Sequence, residues 1–270
     1  MTPAVAYTRA GLAVLKRDLL TALSYRFQLA GPLLGAFLSL SVFYYVSRLV
    51  RVAPFHSADD YFAFVLIGIV IFQMLQSILS APPVIVRQEL VAGTFERIVV
   101  SPFGPVGAMS AMLLFPFALA LVTGILTLLF GVVVFGVDLD LPRALLGIPV
   151  ACLGALAFAP FGVLSAAMVL MVKQATAGVA LILAAVSLLA GLYFPVKLLP
   201  GWIQWAADVQ PFTPTVDLLR HLLVGAPLRD ALSLELVKVA CFAAGMVPLS
   251  LWVLARVVRF TRRRGTIIEY

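Results

Sequence analysis

Residues 87–97 read RQELVAGTFER, and Ser101-Pro102 closes the stretch around which this chain is organised. Four of those residues are charged, in a sequence where 19 Lys and Arg and 12 Asp and Glu are spread over 270 residues. One charged side chain at the centre of a membrane helix costs about 2.5–3.5 kcal/mol, so four of them exclude this stretch from a bilayer. The long uncharged runs on both sides of it are then the candidate membrane spans.

The composition is that of a membrane protein. Hydrophobic residues make up 63% of the chain, charged residues 11%, and the mean hydropathy is +1.11, whereas soluble domains carry about 25% charged residues. Cys152 and Cys241 lie inside apolar runs, and His56 and His221 stand alone, so we expect neither a disulfide framework nor a metal site. We predict an all-α polytopic membrane protein.

Six apolar segments are long enough to cross a bilayer, which takes about 20 residues. Ahead of them, within residues 1–28, leucines recur at helical spacing and predict an N-terminal helix that lies in the membrane interface. An even number of spans places both termini on one side of the membrane. The predicted spans are 30–46, 61–81, 106–137, 144–172, 176–195 and 237–258.

Lys and Arg are unequally distributed between the two sides. Twelve fall on the side that holds residues 87–97 and both termini, and seven fall on the other side. The positive-inside rule therefore predicts a multi-pass protein of the cell (inner or plasma) membrane with both termini in the cytoplasm. The basic tail, residues 259–270, is then expected to lie against anionic membrane lipid. This placement explains the net charge of +7 better than nucleic-acid binding does.

The segment before the last span differs from the other connections. Two tryptophans three residues apart are typical of an interfacial aromatic belt, while Thr213-Pro214 predicts the start of a short helix and Gly225 its end. Short helices broken by prolines cannot span a bilayer, but they can dip into it where protein shields their backbone groups. We predict an outer re-entrant hairpin over residues 196–225. Its marker residues are Trp202, Trp205, Pro211, Pro214, Asp217 and Arg220.

A polar cluster within this hairpin is the nearest approach to a catalytic site. Asp217, Arg220 and His221 stand at i,i+3 and i,i+4 spacing on the predicted helix. Helix capping and surface pairing explain such a cluster more simply than catalysis does. We therefore expect no enzymatic site in this chain.

The 87–102 stretch itself allows two interpretations, a solvated loop or a docking element for a partner. Residues 87–90 and 95–100 read as two short amphipathic helices, and Gly93-Thr94 marks the break between them, because glycine inside a helix costs about 1 kcal/mol relative to alanine. An apolar centre formed by Leu90, Val91 and Phe95 suits insertion into the groove of a cytoplasmic partner. The residues alone leave both interpretations open.

The pattern Glu89-x-x-x-Gly93-Thr94-x-Glu96, followed by Ser101-Pro102, is similar to the cytoplasmic loop between spans two and three of ABC-2 type transporter permeases. The order and spacing of further motifs resemble that family over nearly the whole chain. Residues 210–220, QPFTPTVDLLR, look like the stretch that precedes its last span. Other similar features are Phe194-Pro195, Leu199-Pro200, Trp202 and Arg264-Gly265-Thr266.

The resemblance implies a transport subunit of an exporter. In this family two permeases, identical or related, pair with two copies of an ATP-binding subunit, and the loop between spans 2 and 3 acts as a coupling helix that receives the motion of the ATPase. The residues to which this role carries over are Arg87, Glu89, Gly93, Thr94, Glu96 and Arg97.

The chain lacks the P-loop that an ATP site would need. Its four lysines, Lys16, Lys173, Lys197 and Lys238, each follow Leu or Val, so the Gly-Lys pair of that motif is missing. We therefore expect no cofactor on this chain, and we expect ATP and Mg on the partner ATPase subunit.

The path of the cargo is the least determined feature. Residues 106–137 and 144–172 contain no ionisable side chain, which fits an ion-coupled secondary transporter or a channel poorly. A polar stripe on spans two and three predicts either hydrogen bonds between helices or the lining of a path. The abundance of Phe, Leu and Val favours a hydrophobic or amphipathic cargo, drug-like or lipid, with lipid-linked polysaccharide as the alternative. The stripe consists of Gln73, Gln76, Ser77, Thr123 and Thr127.

Overall fold

A computed structural model describes residues 3–24, 26–49, 55, 57–95, 97, 104–172 and 176–264. Every regular element within those residues is helical, which confirms the all-α prediction. The α-helices are α1 (Pro3–Ser24), α2 (Arg26–Leu49), α3 (Ala58–Val91), α4 (Gly104–Met112), α5 (Leu114–Phe135), α6 (Leu141–Val172), α7 (Thr176–Leu189), α8 (Gly201–Val209), α9 (Phe212–Val224) and α10 (Leu232–Arg264), with a 3₁₀ turn at Val196–Leu198.

In the part of the chain that the structure describes, five helical segments are long and apolar enough to cross a membrane, which indicates a multi-pass membrane protein. They contain all or nearly all of five of the predicted spans. The sixth span, over residues 176–195, stays a prediction; its helix α7 has 14 residues and ends at Leu189, ahead of a turn in which Gly191 takes a φ of 68°. Fourteen helical residues extend about 21 Å. The five segments are Ala30–Leu49, Ala58–Val91, Val106–Phe135, Pro142–Val172 and Leu232–Arg263.

Helix α3 lies at the centre of the molecule and packs against α2, α5, α6, α7 and α9. Its N-terminus is closed by a capping box, in which Ser57 Oγ accepts from the Asp60 amide at 3.0 Å and the Asp60 carboxylate accepts from the Ser57 amide at 3.1 Å. The helix then continues without interruption for 34 residues, through Pro82 and Pro83, to Val91. The predicted separate helix over residues 87–90 is therefore the last turn of α3.

Two glycines allow neighbouring backbone to approach α3 closely. A Cβ on Gly68 would lie 1.9 Å from the carbonyl oxygen of Leu192, and a Cβ on Gly162 of α6 would lie 2.4 Å from the carbonyl oxygen of Ile78. Small residues at such contacts are the usual means by which membrane helices pack, since lipid gives no hydrophobic drive for association. The turn after α7 and the middle of α6 are thus held directly against the central helix.

The predicted third span, 106–137, is interrupted at Leu113, between α4 and α5. Pro116 has no amide hydrogen and cannot donate to the carbonyl of Met112, so the helix loses one bond at this point. The Leu113 amide instead donates to Ser110 O at 3.2 Å, and regular bonding resumes with the Phe117 amide, 3.1 Å from Leu113 O. α1, which falls within the predicted interfacial segment, packs on α4 and on the start of α5.

The predicted hairpin over 196–225 consists of the 3₁₀ turn, α8 and α9, and it ends as expected at Gly225, whose φ is 70° and whose amide donates to His221 O at 3.1 Å. The start of α9 differs from the prediction. Thr213 is not the N-cap, because the helix begins at Phe212 and the Thr213 hydroxyl is buried, accepting from Gln210 Nε2 at 3.1 Å.

The molecule has two chemically distinct ends. We call the end with the C-terminal turns of α3, α6 and α10 the basic end, because Arg87, Arg97 and the arginines of α10 lie there. We call the end that contains residues 190–231 the hairpin end. A buried apolar cluster joins α3, α6 and α10 at the basic end, and a larger one fills the rest of the helix bundle.

We predict that Gly68→Ala lowers the free energy of unfolding by about 3 kcal/mol or more, because the new methyl group forces α3 away from Leu192. Thermal unfolding of the detergent-solubilised chain measures the effect. Gly245→Ala is the matched control, since nothing lies within 4 Å of a Cβ at that position of α10, and alanine is favoured over glycine in a helix by up to about 1 kcal/mol. Equal unfolding temperatures for the two variants would contradict the close packing at Gly68.

Candidate functional site

The 87–97 stretch is a tight reversal built on the end of α3. The Ala92 amide donates to Gln88 O at 2.9 Å and the Gly93 amide to Leu90 O at 3.1 Å, while Gly93 takes a φ of 68°. The Thr94 amide donates to Glu89 O at 3.0 Å, and the Thr94 hydroxyl donates to the Glu89 carboxylate. The break predicted at Gly93-Thr94 is confirmed, and Glu89 is one of the residues that shape it.

The apolar side chains of this loop face the protein interior. Phe95 is 2% exposed, and both it and the buried Leu90 belong to the apolar cluster with α6 and α10. Val91, by contrast, is 68% exposed. The predicted apolar centre for a partner groove is therefore wrong for Leu90 and Phe95, because these residues fasten the loop to its own helices.

The outward face of the loop is mainly basic and polar. Arg87, Gln88, Gly93 and Arg97 are exposed beside Val91, whereas Glu89 and Thr94 are half-buried by their mutual hydrogen bond. Glu96 and Ser101-Pro102 lie outside the described residues. The described residues of the predicted coupling set thus divide into three exposed residues, Arg87, Gly93 and Arg97, and an internal pair, Glu89 and Thr94, that fixes the turn.

At the hairpin end, the guanidinium of Arg220 is buried among backbone carbonyls. Arg220 is 2% exposed. Its Nη1 donates to Gly191 O at 2.7 Å and its Nη2 to Leu192 O at 2.7 Å, while Nε and Nη2 donate to Phe64 O at 3.2 and 3.0 Å. The guanidinium carbon also lies 3.3 Å from the centroid of the Phe64 ring. One side chain of α9 therefore joins α3 and the turn that follows α7.

Arg220 stays ionised in spite of its burial. Burial lowers the pKa of Arg220 to about 9, and the neighbouring Asp217 carboxylate opposes that shift, so the guanidinium is protonated at pH 7. Burial likewise raises the pKa of Asp217, against the influence of Arg229 and Arg220. Asp217 forms an ion pair with Arg229, with Nε and Oδ2 3.0 Å apart.

The predicted surface pairing of the Asp217, Arg220 and His221 cluster is wrong for Arg220. Asp217 pairs with Arg229, and His221 Nδ1 lies 2.8 Å from Ala226 O, beyond the end of α9. Sequence reasoning identified the three residues but missed the buried acceptors of Arg220. The available signal was the apolar residues that flank it in the sequence LLRHLL, which predict a buried helix face.

The other predicted hairpin residues divide by exposure. Trp202 and Trp205 are exposed on α8, on the side away from the buried Ala207. Pro211 and Pro214 are buried where α8 turns into α9.

The predicted polar stripe does not form one path. Thr127 Oγ1 donates to Gln73 Oε1 at 3.0 Å, which is a hydrogen bond between α5 and α3. Thr123 Oγ1 bonds within its own helix, to Leu119 O at 2.8 Å. Gln76 is exposed and Ser77 half-buried. Gln73 and Thr127 thus favour the interpretation as a contact between helices.

The hairpin end also contains an open cavity of about 960 Å³. Its wall combines aromatic side chains with charges of both signs, and none of the polar-stripe residues contributes to it. Representative lining residues are Phe62, Phe64, Phe135, Asp138, Lys197 and Arg220.

The chain is a multi-pass helical bundle with a structured basic loop and an anchored hairpin, and a comparison with known families identifies its class. The family model of the ABC-2 type transporter matches residues 10–224, which include the loop and Arg220. The chain belongs to the ABC-2 type transporter family. Its membrane domains are permease components that work with an ABC ATPase subunit and generally have no ATPase site of their own. No curated protein matches this chain.

We predict that Arg220→Met destabilises the fold by about 3 kcal/mol or more, because three buried carbonyl groups lose their donors, at about 1–3 kcal/mol for each group. The stability of Arg220→Lys should lie between those of Arg220→Met and the wild type, since an ammonium group keeps the charge but cannot reproduce the planar arrangement of guanidinium donors. Arg143→Met is the control, because its ion pair with Asp140 is exposed and such pairs contribute at most about 1 kcal/mol. Unfolding of the three purified variants measures the series. A loss no larger for Arg220→Met than for Arg143→Met would contradict the anchor.

Proposed function

We propose that this chain is the permease subunit of an ATP-driven exporter, with ATP and Mg bound and hydrolysed on a separate ATPase subunit. The family assignment supports the class. The loop that turns at Gly93 supports the coupling role, because it presents Arg87, Val91 and Arg97 outward on a rigid base. On this proposal Arg87, Glu89, Gly93, Thr94, Glu96 and Arg97 transmit motion from the ATPase and carry out no chemistry.

The observation that carries the proposal is the continuity of α3. Arg87 and Phe64 lie 23 residues apart on one helix, a distance of about 35 Å. Phe64 O accepts from Arg220, and Phe95 packs beside α6 and α10. A push on the loop therefore displaces a helix that is fixed to the hairpin at one end and to two further spans at the other. This linkage gives the ATPase a mechanical route to alternating access.

We further propose six crossings, with residues 87–97 and both termini in the cytoplasm. Leu170 of α6 shares a buried cluster with Leu90, whereas Leu192 meets Arg220 at the level of Phe64. The chain between residues 170 and 192 therefore runs from the basic end to the hairpin end, and α7 with its flanks supplies the sixth crossing. The excess of arginine at the basic end supports the orientation. α1 would lie in the cytoplasmic interface, and the hairpin with Trp202 and Trp205 at the outer face.

A second permease copy is expected to pack on α2. Most of the apolar surface of α2 is uncovered, with Leu34, Leu38 and Val42 exposed. Gly31 and Gly35 stand four residues apart on it, and nothing lies within 4 Å of a Cβ at either position. Paired small residues at this spacing favour close contact between membrane helices. The same surface would serve an identical or a related partner.

The proposed cargo is hydrophobic or amphipathic, either drug-like or lipid. The aromatic floor and mixed charges of the cavity at the hairpin end support an amphipathic molecule that leaves on that side. Lipid-linked polysaccharide is the alternative cargo. Ion-coupled secondary transport is less well supported, because no ionisable residue occurs in 106–137 or 144–172.

Cysteine labelling tests the orientation in a background in which Cys152 and Cys241 are replaced by alanine. We expect a membrane-impermeant maleimide to label Trp205→Cys in intact cells and Val91→Cys only after permeabilisation, because both positions are exposed at opposite ends of the molecule. Labelling of Val91→Cys in intact cells would overturn the proposed topology.

Glu89→Ala combined with Glu96→Ala tests the coupling role. We expect the ATP-binding subunit recovered with the purified chain, or the transport-coupled ATP hydrolysis, to fall at least about tenfold, equivalent to about 1.4 kcal/mol, because the turn loses the Glu89 to Thr94 hydrogen bond and two carboxylates. Asp208→Ala with Asp230→Ala removes the same charge from exposed ion pairs at the hairpin end and is the control. Normal assembly and transport by the Glu89 and Glu96 double variant would contradict coupling through this loop.

A further inference from the structure

A groove of about 360 Å³ lies between the C-terminal ends of α6 and α10. Among the described residues, half of its lining is cationic and half is apolar, with no carboxylate. Its lining residues are Met171, Arg256, Val257, Arg259, Phe260 and Arg263.

The three arginines of the groove share one face of α10, since they are three and four residues apart. Arg256 lies over the ring of Trp252, with its guanidinium carbon 4.9 Å from the ring centroid, and Arg259 Nε donates to Ala255 O at 3.1 Å. None of the three forms an ion pair with an acidic residue in the part of the chain that the structure describes. Their charge therefore faces the groove and its surroundings uncompensated.

The length of α10 places this groove at the depth of lipid headgroups. The predicted span 237–258 ends within this groove. Counted from Lys238, which forms an ion pair with Asp230 at the hairpin end, the roughly 20 helical residues that cross a hydrocarbon core of about 30 Å also end near Val258. Arg256, Arg259 and Arg263 lie around that level, and Trp252 lies on its membrane side.

Apolar surface continues from the groove towards the membrane centre. Met171 of α6 and Trp252 of α10 are exposed, and Leu249, one turn earlier on α10, is exposed as well. A ligand that fills the groove along its whole length is therefore anionic at one end and apolar at the other.

We propose that this groove is a binding site for an anionic phospholipid, with the phosphate between Arg256, Arg259 and Arg263 and an acyl chain along Met171 and Trp252. Guanidinium groups bind phosphate oxygens in pairs of parallel hydrogen bonds. A free phosphate would make no contact with the apolar half of the groove, whereas an acyl chain would cover it. The site rests on the groove and its depth and is independent of the cargo and of the ATPase. It would fix the ends of α6 and α10 beside the loop they support.

Tryptophan fluorescence of the full chain tests this site directly. The chain has 3 tryptophans, so Trp202→Phe with Trp205→Phe leaves Trp252 as the single tryptophan, which is excited selectively at the red edge of the absorption band. In nanodiscs of phosphatidylcholine, we expect brominated phosphatidylglycerol to quench Trp252 at a mole fraction roughly fivefold lower than brominated phosphatidylcholine, since even one arginine at the surface of an anionic membrane gives a preference of about that size.

Arg259→Gln with Arg263→Gln should remove the preference for phosphatidylglycerol while leaving Trp252 and Arg256 in contact. Arg17→Gln with Arg262→Gln removes the same charge from exposed positions outside the groove and should preserve the preference. Inorganic phosphate, added at constant ionic strength, should leave the quenching unchanged.

Three results would overturn the proposal. Equal quenching by the two brominated lipids would mean that the isolated chain has no anionic-lipid site, as expected if these arginines instead meet an acidic protein surface. Equal loss of preference in the two double variants would reduce the effect to general surface charge. Competition by inorganic phosphate would identify the ligand as a soluble anion.

Discussion

The buried guanidinium of Arg220 is the interaction on which the hairpin end depends. Taking an arginine out of water is costly unless its hydrogen-bond donors are matched, and here the acceptors are the carbonyls of Phe64, Gly191 and Leu192. Two of these follow the end of α7, where helix carbonyls lack partners and the helix dipole favours a cation. The turn at Gly191 supplies acceptors because the helix stops there, and Gly68 lets that turn reach α3. The early end of α7, the absence of a side chain at Gly68 and the charge of Arg220 therefore depend on one another.

The two ends of α3 are fixed by different chemistry. At the hairpin end a charge meets carbonyl groups, which specify distance and direction closely. At the basic end Leu90 and Phe95 fill an apolar cluster with α6 and α10, which is tolerant of small displacements between helices. A helix held in this way can tilt as a rigid body, so that its loop end moves while its register with the hairpin stays constant. That difference suits a part that receives motion at one end and positions a fixed element at the other.

The sequence was sufficient for features whose cause is local. Apolar runs located five spans, and the glycines at 93 and 225 located two turns, because glycine is the residue that most readily adopts a positive φ. The burial of Arg220 has no such local cause, since its acceptors are backbone carbonyls 156, 29 and 28 residues away, and any residue carries a carbonyl. The burial of Phe95 could not be predicted from the sequence for a related reason. An apolar side chain on a charged loop looks the same in the sequence whether it faces another protein or the loop's own helices.

Because Leu90 and Phe95 pack inside the protein, they cannot form the contact between the loop and a partner. A contact element that inserted both side chains into a partner would leave its own base unsupported, and a force applied to it would bend the loop before it moved a helix. Here the apolar side chains and the Glu89 to Thr94 hydrogen bond are satisfied within the chain. On the proposed coupling role, the ATPase would meet a surface whose described residues are Arg87, Gln88, Val91, Ala92, Gly93 and Arg97. That surface would need little area to transmit force, because the contacts that hold the loop in place lie within the permease.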